Sequence, residues 1–338
     1  MKNEFPEVLT SFFGQYLELQ KGLSPNTVSS YSDAFLLMFA YYKEIHGVSP
    51  EKITFQSISR ESVMDFCQWL ENNRKSSIKT RNLRLTAIHA FFRYVAIQDP
   101  SKLALCKGII DIPMKKCEKK PPAYMSEEEL KLLFALPDTK KKEGIRDLAI
   151  MTLLYDTGSR VSELIGLKIE DIRFDSTTTV RIHGKGRKQR IVPISSATAD
   201  IVKAYYKSNK IDISDPHKAV FTNNRGETLT RPGINYILDK YIQHARQLNP
   251  DKYSFKVTAH TMRHSKATIL LLSDVNLVYI RDFLGHASVV TTEIYAKTNP
   301  EFLRRAVEKN ARNYSDALGE YDQEEKECLS EFLKTFRI

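Results

Sequence analysis

Residues 177–194 carry the signature of a β-hairpin and read Thr-Thr-Thr-Val-Arg-Ile-His-Gly-Lys-Gly-Arg-Lys-Gln-Arg-Ile-Val-Pro-Ile. β-Branched residues lie on both sides of Gly184-Lys185-Gly186, and glycines between two such runs are typical of the turn of an antiparallel hairpin. In most of the remaining chain the apolar residues recur at helical spacing instead. We therefore expect a mainly α protein that contains a small β-hairpin with a basic tip.

The composition agrees with a helical protein of two domains. Glycine and proline number 13 each among 338 residues, which is below their joint average usage of roughly 12%. Apolar residues make up 42% of the chain, and this share excludes disorder of the whole chain. Because no apolar run approaches about 18 residues and the N-terminus has no secretory signal, we expect no membrane segment.

The net charge of +10 points to a polyanionic partner, usually nucleic acid. The charge is uneven, since residues 314–338 contain seven acidic and three basic residues and residues 1–313 carry all of the positive excess. A generic basic enzyme or a ribosome-associated protein is the alternative at this point. The four cysteines form no Cys-x-x-Cys pair, so we expect neither a zinc ribbon nor a disulfide framework, and a cytoplasmic location.

Residues 1–110 are predicted to form a helical bundle. One helix begins at Ser24-Pro25 and ends at Gly47, a second begins near Ser59, and a third covers about 77–97.

A basic run covers the third helix, because six basic residues and no acidic one occur between Arg74 and Arg93. Such a run is often only a solvated helix face. Since no acidic residue compensates it, we favour a helix that faces nucleic-acid phosphates, and we assign Lys79, Arg81 and Arg84 to this contact.

A proline-punctuated basic linker at 111–123 precedes a second domain at 124–313, which begins with the capping box Ser126-x-x-Glu129. Its helices are predicted at about 144–156, from Arg160, and at 196–208, 230–247, 260–272 and 276–284. The tail at 314–338 places four large apolar residues on one stripe and predicts a short amphipathic helix. They are Leu329, Phe332, Leu333 and Phe336.

Missing motifs exclude several kinds of site. The chain has no P-loop and no Gly-x-Gly-x-x-Gly after a strand, so neither a P-loop NTPase nor a Rossmann dehydrogenase is expected. His260-Thr-Met-Arg-His264 has the histidine spacing of a zinc-binding helix, but threonine stands in place of the glutamate and no third ligand follows. We therefore expect no metal and no cofactor.

The second domain instead carries cations at turns and helix starts. Arg160 follows Thr157-Gly158-Ser159, so that backbone N–H groups and a guanidinium point the same way, and Glu163 is spaced to orient it. The further members are Lys185 at the hairpin tip, His260 and Arg263 on one helix face, and His286 after Gly285. Taken singly, each of these residues could have a purely structural role. Together they indicate a phosphodiester site in which arginines take the place of metal ions.

These residues resemble the signature of the tyrosine recombinase, or phage integrase, family. The matching motifs are Thr157-Gly-Ser-Arg160-Val-Ser-Glu163-Leu164, the Gly184-Lys185-Gly-Arg-Lys-Gln-Arg-Ile-Val-Pro-Ile hairpin, His260-Thr-Met-Arg263-His, Leu284-Gly285-His286 and Tyr295. Their order and spacing match the family, and the Ser-Pro-Asn-Thr-Val-x-x-Tyr stretch from Ser24 resembles the start of its core-binding domain. The resemblance covers the whole chain and singles out Tyr295 among 16 tyrosines.

The resemblance implies that Tyr295 attacks a DNA phosphodiester, forming a 3′-phosphotyrosyl link and releasing a 5′-hydroxyl. Arg160 and Arg263 are then expected to neutralise the transition state. Lys185 is expected to protonate the leaving oxygen, and His286 to donate a further hydrogen bond to the phosphate.

The same resemblance assigns supporting roles. His260 is the expected base towards the tyrosine, whereas His264 is expected to be structural. Glu163 is expected to hold an arginine. At the hairpin tip, Arg187 and Lys188 are expected to bind DNA.

The resemblance also implies two domains, a helical core-binding domain that binds DNA and an α+β catalytic domain. Because no arm-binding domain precedes residue 5, we expect the layout of two-domain Xer-like and transposon-type enzymes. The implied partners are double-stranded DNA with an inverted-repeat core site, further copies of the chain in a homotetramer, and an optional directionality factor. In the tetramer the tail is expected to dock on a neighbouring protomer, with folding back on its own domain as the alternative. The expected task is integration, excision or transposition of a mobile element. The alternatives are Xer-like dimer resolution, a type IB topoisomerase-like nickase, and a DNA-binding module without chemistry.

Overall fold

The chain divides into two units, Met1–Lys119 and Lys120–Ile338, each with buried apolar residues of its own. The computed structural model describes residues 4–117, 122–184, 186, 188–223, 225–286, 288–298 and 304. Within these residues helices dominate both units, and the strands belong to the second. The predicted class, mainly α with a small β element, is confirmed.

Helices make up the first unit. They are α1 (Phe5–Ser11), which continues as a π-helix over Phe12–Gln20, α2 (Pro25–His46), α3 (Arg60–Asn72), α4 (Ile78–Gln98) and α5 (Leu103–Ile110), with 3-10 turns at Pro50–Lys52, Phe55–Ser57 and Pro100–Lys102. The sequence predicts α2, α3 and α4, and all three are confirmed. It does not predict the N-terminal helix or α5.

The three predicted helices begin and end where their sequences indicate. Pro25 is the first residue of α2, and Gly47 ends this helix in the left-handed conformation, with a φ of 64° that glycine adopts without strain. The hydroxyls of Ser59 and Ser77 each accept a hydrogen bond from a backbone N–H three residues later. They therefore cap α3 and α4.

Phenylalanine rings fill the core of the first unit. The ring centroid of Phe91 lies 5.3 Å from those of Phe12 and Phe35 and 5.7 Å from that of Phe5, in edge-on contacts. Aromatic pairs at such distances contribute about 0.5–1.5 kcal/mol beyond their burial. Because Phe5 and Phe12 belong to the N-terminal helix, contacts with α4 fix a segment whose own sequence gives no clear helical signal.

The second unit places a small sheet among helices. Its elements are α6 (Glu127–Phe134), α7 (Lys142–Thr157), α8 (Val161–Ile165), β1 (Ile172–Arg173), β2 (Thr179–His183), β3 (Gln189–Pro193), α9 (Ser196–Asn209), α10 (Arg231–Leu248), α11 (Ala259–Leu272), α12 (Leu277–Leu284) and α13 (Val289–Thr298). The strands are antiparallel in the order β1-β2-β3, with Val180 opposite Val192. The predicted hairpin is confirmed, and the short strand β1 extends it.

Helix α7 runs through the core of the second unit. Its Ala149, Ile150, Met151, Leu153 and Leu154 are all fully buried, so this helix presents apolar groups on several sides, as a core helix does. It packs against α9 and α11.

A buried ion pair ties the end of α7 to two other elements. One oxygen of Asp156 accepts a hydrogen bond from Nζ of Lys266 on α11 at 2.8 Å, and the other accepts one from the backbone N–H of Ser195, after β3, at 2.7 Å. Burial alone would raise the pKa of Asp156, but the Lys266 ammonium and the hydrogen bonds outweigh burial and lower it. The contact holds α11 in a fixed position against α7.

Of the three basic residues of α4 that the sequence predicts to face phosphates, Arg81 and Arg84 make contacts inside the first unit. Arg81 is 5% exposed, and its Nη1 donates to Oδ1 of Asn82 at 3.0 Å while its Nε lies 3.6 Å from Glu71. Nη1 of Arg84 donates to the carbonyl of Ser30 at 2.9 Å. Both guanidiniums therefore have protein partners, and their assignment to DNA phosphates stays a prediction. Lys79 is exposed and remains a prediction.

Several predicted features lie outside the described residues. They are Lys185, Arg187 and the tail with its predicted amphipathic helix. Among the helices that the structure does describe, none is long and apolar enough to cross a membrane.

We expect Arg81→Ala to destabilise the first unit, because the change removes a buried guanidinium that pairs with Glu71 and donates to Oδ1 of Asn82. The free energy of unfolding should fall by about 1–3 kcal/mol, whereas the exposed-site control Lys79→Ala should change it by less than about 0.5 kcal/mol. Trp69 is the single tryptophan of the chain and is buried in this unit, so its fluorescence in a urea titration reports the unit selectively. Equal midpoints for both variants would contradict the structural role of Arg81.

Candidate active site

The turn between α7 and α8 positions an arginine and a glutamate. Gly158 ends α7 with a φ of 56°, and Arg160 occupies the N-cap of α8. Oε1 of Glu163 accepts a hydrogen bond from Nη1 of Arg160 at 2.7 Å, and Oε2 accepts one from the Arg160 backbone N–H at 3.0 Å. The sequence predicts that this backbone N–H faces an anion, but Glu163 already occupies it. A bound anion must therefore be met by the guanidinium.

Arg263 of α11 is buried in the same region. It is 3% exposed, its Nη1 donates to the carbonyl of Gly158 and its Nη2 to that of Leu284, each at 2.7 Å. A Cβ on Gly158 would lie 2.8 Å from Cδ2 of Leu284. Residue 158 must therefore be glycine, both because of its positive φ and because a side chain would collide with Leu284. Through its two hydrogen bonds Arg263 connects the end of α7 to the end of α12.

Arg190 of β3 is a site residue that the sequence analysis misses. Its Nη2 donates to Oε2 of Glu163 at 2.8 Å, and its Nε donates to the carbonyl of Phe283 at 2.9 Å. A Cβ on Gly285 would lie 3.0 Å from Nη1 of Arg190, so the glycine leaves room for this guanidinium. The alternation of side chains along β3 could have revealed it. Arg190 lies on the same face of the strand as the buried Val192 and therefore points inwards.

The site holds more positive than negative charge. Burial alone would raise the pKa of Glu163, but hydrogen bonds and charge from Arg190 and Arg160 outweigh burial and hold this pKa below its usual range. Burial, together with the Arg160 charge, lowers the pKa of Arg263 to about 10. Glu163 therefore contacts two of the three arginines, Arg160 and Arg190, and the third, Arg263, has only neutral carbonyl partners among the described residues. This excess of positive charge favours a bound anion.

His286 stands in the turn after α12. Gly285 adopts a φ of 66°, and Nδ1 of His286 lies 3.0 Å from the hydroxyl of Thr292. Burial, followed by the charges of Arg263 and Arg160, lowers the pKa of His286 to about 4. The imidazole is therefore neutral at pH 7 and donates one hydrogen bond at most.

Tyr295 of α13 lies close to a histidine other than the expected one. It is 2% exposed, and its hydroxyl lies 2.8 Å from Nδ1 of His264. His260, the base expected from the sequence, is exposed, and its ring centroid lies 6.4 Å from that of His264. Burial raises the pKa of Tyr295, and the nearby Arg263 and Arg160 charges oppose this rise. His264, which the sequence predicts to be structural, is therefore the histidine that contacts Tyr295.

A cavity of about 510 Å³ opens beside these groups. It is lined by Arg160, Gly184, Lys188, Gln189, Arg190, Asp282, Gly285 and His286. Lys188 is thus brought to the arginines as the sequence suggests, while Lys185 and Arg187 lie outside the described residues. Guanidiniums here can neutralise a phosphodiester, and the Tyr295 hydroxyl can supply a nucleophile.

Comparison with known proteins finds similarity along both units. The profile of the phage integrase family matches residues 123–301, and that of the phage integrase N-terminal SAM-like domain matches residues 11–98. A putative integrase/recombinase of Sinorhizobium fredii is 34% identical, over 90% of this chain and 91% of the relative. The tyrosine recombinase XerC of Bacillus subtilis is 30% identical, over 86% and 92% respectively.

The fold is similar to that of the Tn1549 transposon integrase, solved in complex with circular intermediate DNA. The TM-score is 0.66 at 18% identity, covering 87% of this chain and 97% of the other.

We expect Glu163→Gln to destabilise the second unit, because Arg160 and Arg190 lose the carboxylate that compensates them. The free energy of unfolding should fall by about 1.5–3 kcal/mol at pH 7. Since folding lowers the pKa of Glu163, its contribution is present above the unfolded pKa and is lost as the pH falls through the folded pKa. The difference between variant and wild type should therefore shrink below about pH 4.5.

Urea unfolding followed by far-UV circular dichroism measures this difference. The Trp69 fluorescence midpoint serves as an internal control, because Trp69 belongs to the first unit. A pH-independent difference would show that the Glu163 charge is not what stabilises the turn.

Proposed function

This chain belongs to the phage integrase family of tyrosine recombinases, and we propose that Tyr295 is the nucleophile with which it cleaves DNA. As a member of this family the chain is a site-specific recombinase, an enzyme that cleaves and rejoins DNA. The observation that carries the assignment is the buried Tyr295 hydroxyl, which lies beside a neutral imidazole and within electrostatic influence of Arg160 and Arg263.

In the proposed reaction Tyr295 forms an ester with the 3′ phosphate and releases a 5′ hydroxyl. One phosphate ester replaces another, so the energy of the broken DNA bond is retained for rejoining. This explains how strands could be exchanged without a nucleotide cofactor, for which the sequence shows no binding motif.

The arginines supply the stabilisation of the transition state. Negative charge develops on the non-bridging oxygens as the phosphorus becomes five-coordinate, and Arg160 and Arg263 are permanent donors suited to it. Their carbonyl and carboxylate contacts orient them before the DNA arrives, so little reorganisation is needed during the reaction. Loss of one such donor typically costs about 3–4 kcal/mol of barrier. Glu163 and Arg190 act as positioning residues.

Lys185 is the proposed acid for the leaving 5′ oxygen. Its neighbours Gly184 and Lys188 line the cavity, which supports an approach of the hairpin tip to a bound phosphate. His286 is a further hydrogen-bond donor to this phosphate, and the exposed His260 is also available to it.

We propose that residues 1–110 bind the DNA around the site and that residues 124–313 perform the chemistry, with 111–123 as the linker. On α4 the exposed Lys79 remains a candidate phosphate contact. On the hairpin, Lys188 is exposed at the cavity, and together with Arg187 it remains a proposed DNA contact.

For its substrate we propose double-stranded DNA with inverted repeats, bound by a homotetramer. The Tn1549 integrase and its circular DNA support a mobile-element role of integration, excision or transposition, in the cytoplasm at the nucleoid and with an optional directionality factor. The acidic tail at 314–338 would dock on a basic neighbouring protomer, or fold back on its own catalytic domain.

Tyr295→Phe should retain DNA binding and lose covalent protein–DNA adducts, because the change removes only the attacking oxygen. The binding site is first located by footprinting on inverted repeats beside the gene, and a nicked suicide duplex with one such half-site then traps the adduct. Wild type should form the adduct, which denaturing gel electrophoresis detects. Adducts that persist in the Phe variant would refute the nucleophile, and relaxation of supercoils without joining of two marked duplexes would favour the topoisomerase-like alternative.

Lys185→Ala should slow cleavage by about 10²–10⁴-fold on ordinary DNA. A bridging 5′ sulfur leaves without protonation, so a 5′-phosphorothiolate substrate should restore most of the rate. Arg160→Ala is the matched control and should not be rescued, because it stabilises charge and moves no proton. Equal rescue of both variants would mean that Lys185 only binds the phosphate and does not protonate the leaving oxygen.

Lys79→Ala should reduce the salt dependence of binding by about one unit of slope in a plot of log K against log salt. A lost phosphate contact releases fewer counterions, and the effect should be similar for every DNA sequence. Lys52→Ala, at an exposed lysine outside α4, is the control and should leave the slope unchanged. An unchanged slope for Lys79→Ala would mean that this face of α4 is only solvated.

A further inference from the structure

We propose that Asp171 and His183 are positioning residues for DNA cleavage, because they fix the end of β2 from which the hairpin tip with Lys185 begins. This role rests on the proposed function of Lys185 as the acid for the leaving 5′ oxygen, and it adds the contacts that determine where the acid is held. Lys185 itself lies outside the described residues, and the contacts that hold the hairpin are those of its described neighbours.

The carboxylate of Asp171 holds the strand that leads into the tip. Asp171 is 1% exposed, and its Oδ1 accepts hydrogen bonds from Nε2 of His183 at 2.9 Å and from Nε of Arg181 at 3.0 Å. The two donors are two residues apart on β2, so both project from the same face of the strand. His183 is the last residue of β2, and only Gly184 separates it from Lys185. The carboxylate therefore contacts β2 immediately before the tip.

Asp171 is itself fixed to the turn that follows α8. It ends a short 3-10 turn, Ile169–Asp171, and its Oδ2 accepts a hydrogen bond from the backbone N–H of Lys168 at 3.0 Å. The backbone N–H of Ile169 donates to the carbonyl of Lys218, also at 3.0 Å. Burial alone would raise the pKa of Asp171, but hydrogen bonds from the Lys168 backbone and from the two β2 side chains outweigh burial and lower it. The anchor of β2 is therefore a charged group in a fixed turn.

A second carboxylate holds the other strand of the hairpin. Oε2 of Glu163 accepts the hydrogen bond from Nη2 of Arg190 on β3, and a Cβ on Gly184 would lie 3.7 Å from Oε1 of the same glutamate. The backbone N–H of Gly184 donates to the carbonyl of Lys188 at 2.8 Å, and residues 185–187 are the ones between these two. Each strand of the hairpin is thus tied to a carboxylate, and both carboxylates determine where the tip begins.

His183 contributes to the position of the tip more than to stability. Its side chain is 46% exposed, and ion pairs at exposed positions contribute little to the free energy of unfolding. The fully buried Val180 and Ile182 keep β2 in the core without it. Removal of the imidazole therefore frees the end of the strand and leaves the unit folded. A general acid must lie within hydrogen-bonding distance of the leaving oxygen, and a displacement of about 1 Å can slow a reaction by about 10²-fold.

Substrates with oxygen or sulfur as the leaving atom distinguish positioning of the acid from other roles. The assay is the single-turnover rate of adduct formation on the footprinted suicide half-site, with a 5′ oxygen or a bridging 5′ sulfur at the cleaved bond. The variants are His183→Ala, which removes the hydrogen bond to Asp171, and His183→Gln, whose amide can donate from the position of Nε2. His217→Ala is the matched control, because this exposed histidine pairs with Glu170 instead, with Nδ1 lying 3.1 Å from Oε1.

We expect His183→Ala to slow adduct formation by about tenfold or more on the oxygen substrate and to react at nearly the wild-type rate on the sulfur substrate. Sulfur leaves without protonation, so a misplaced acid no longer limits the rate. His183→Gln and His217→Ala should react as wild type does on both substrates. In a Lys185→Ala background, His183→Ala should slow the oxygen reaction no further, because the group that it positions is already gone. Half-site binding and the urea midpoint of the second unit should be unchanged.

A wild-type rate for His183→Ala on the oxygen substrate would overturn the proposal. Equal slowing on both substrates would also overturn it, because the contact would then act on the phosphate or the nucleophile and not on the acid. Lys185→Ala tests the proposed function separately. If sulfur rescues Lys185→Ala but not His183→Ala, only the positioning role is refuted. If sulfur does not rescue Lys185→Ala, the acid itself is misassigned, and the positioning role is refuted with it.

Discussion

The buried guanidinium of Arg263 is the group on which the arrangement of the second unit's site depends. A buried charge is strongly unfavourable unless fixed acceptors meet it, and here the carbonyls of Gly158 and Leu284 do so at 2.7 Å each. These carbonyls end α7 and α12, so one side chain fixes two turns. The first turn leads into Arg160 and the second into His286. The positions of both follow from the hydrogen-bonding needs of Arg263.

The site is also held in electrostatic imbalance. Glu163 contacts Arg160 and Arg190, whereas both hydrogen bonds of Arg263 go to neutral carbonyls. The lowered pKa values of Arg263 and His286 have the same causes, burial first and neighbouring arginines second. Repulsion among these cations opposes folding of the unit, and an anion bound in the cavity would reduce this repulsion. The charges that oppose folding are therefore the ones that would stabilise a phosphodiester transition state.

Where a residue type suits two environments equally well, the sequence does not reveal which partner its side chain has. Arg81 belongs to a basic run that resembles a phosphate-binding face, yet its guanidinium is buried against Glu71. Arg190 resembles any other cation of the hairpin, yet it bridges Glu163 and the carbonyl of Phe283. His264 is expected to be a structural histidine, and its Nδ1 contacts the Tyr295 hydroxyl. The sequence predicts the helix or strand to which each of these residues belongs, but it does not show which group the side chain contacts.

The sequence by itself determined the helices with clear caps, the hairpin, the division into a helical first part and a second domain, and the family motifs that reveal recombination. These features are local, because a cap, a turn or an apolar period is decided within one or two turns of chain. Only the tertiary structure decided which side chains meet. The contacts of Arg263 with Gly158, Arg190 with Phe283 and His264 with Tyr295 span 105, 93 and 31 residues. Such pairings depend on how whole elements pack, and the spacing of residues within one element does not contain them.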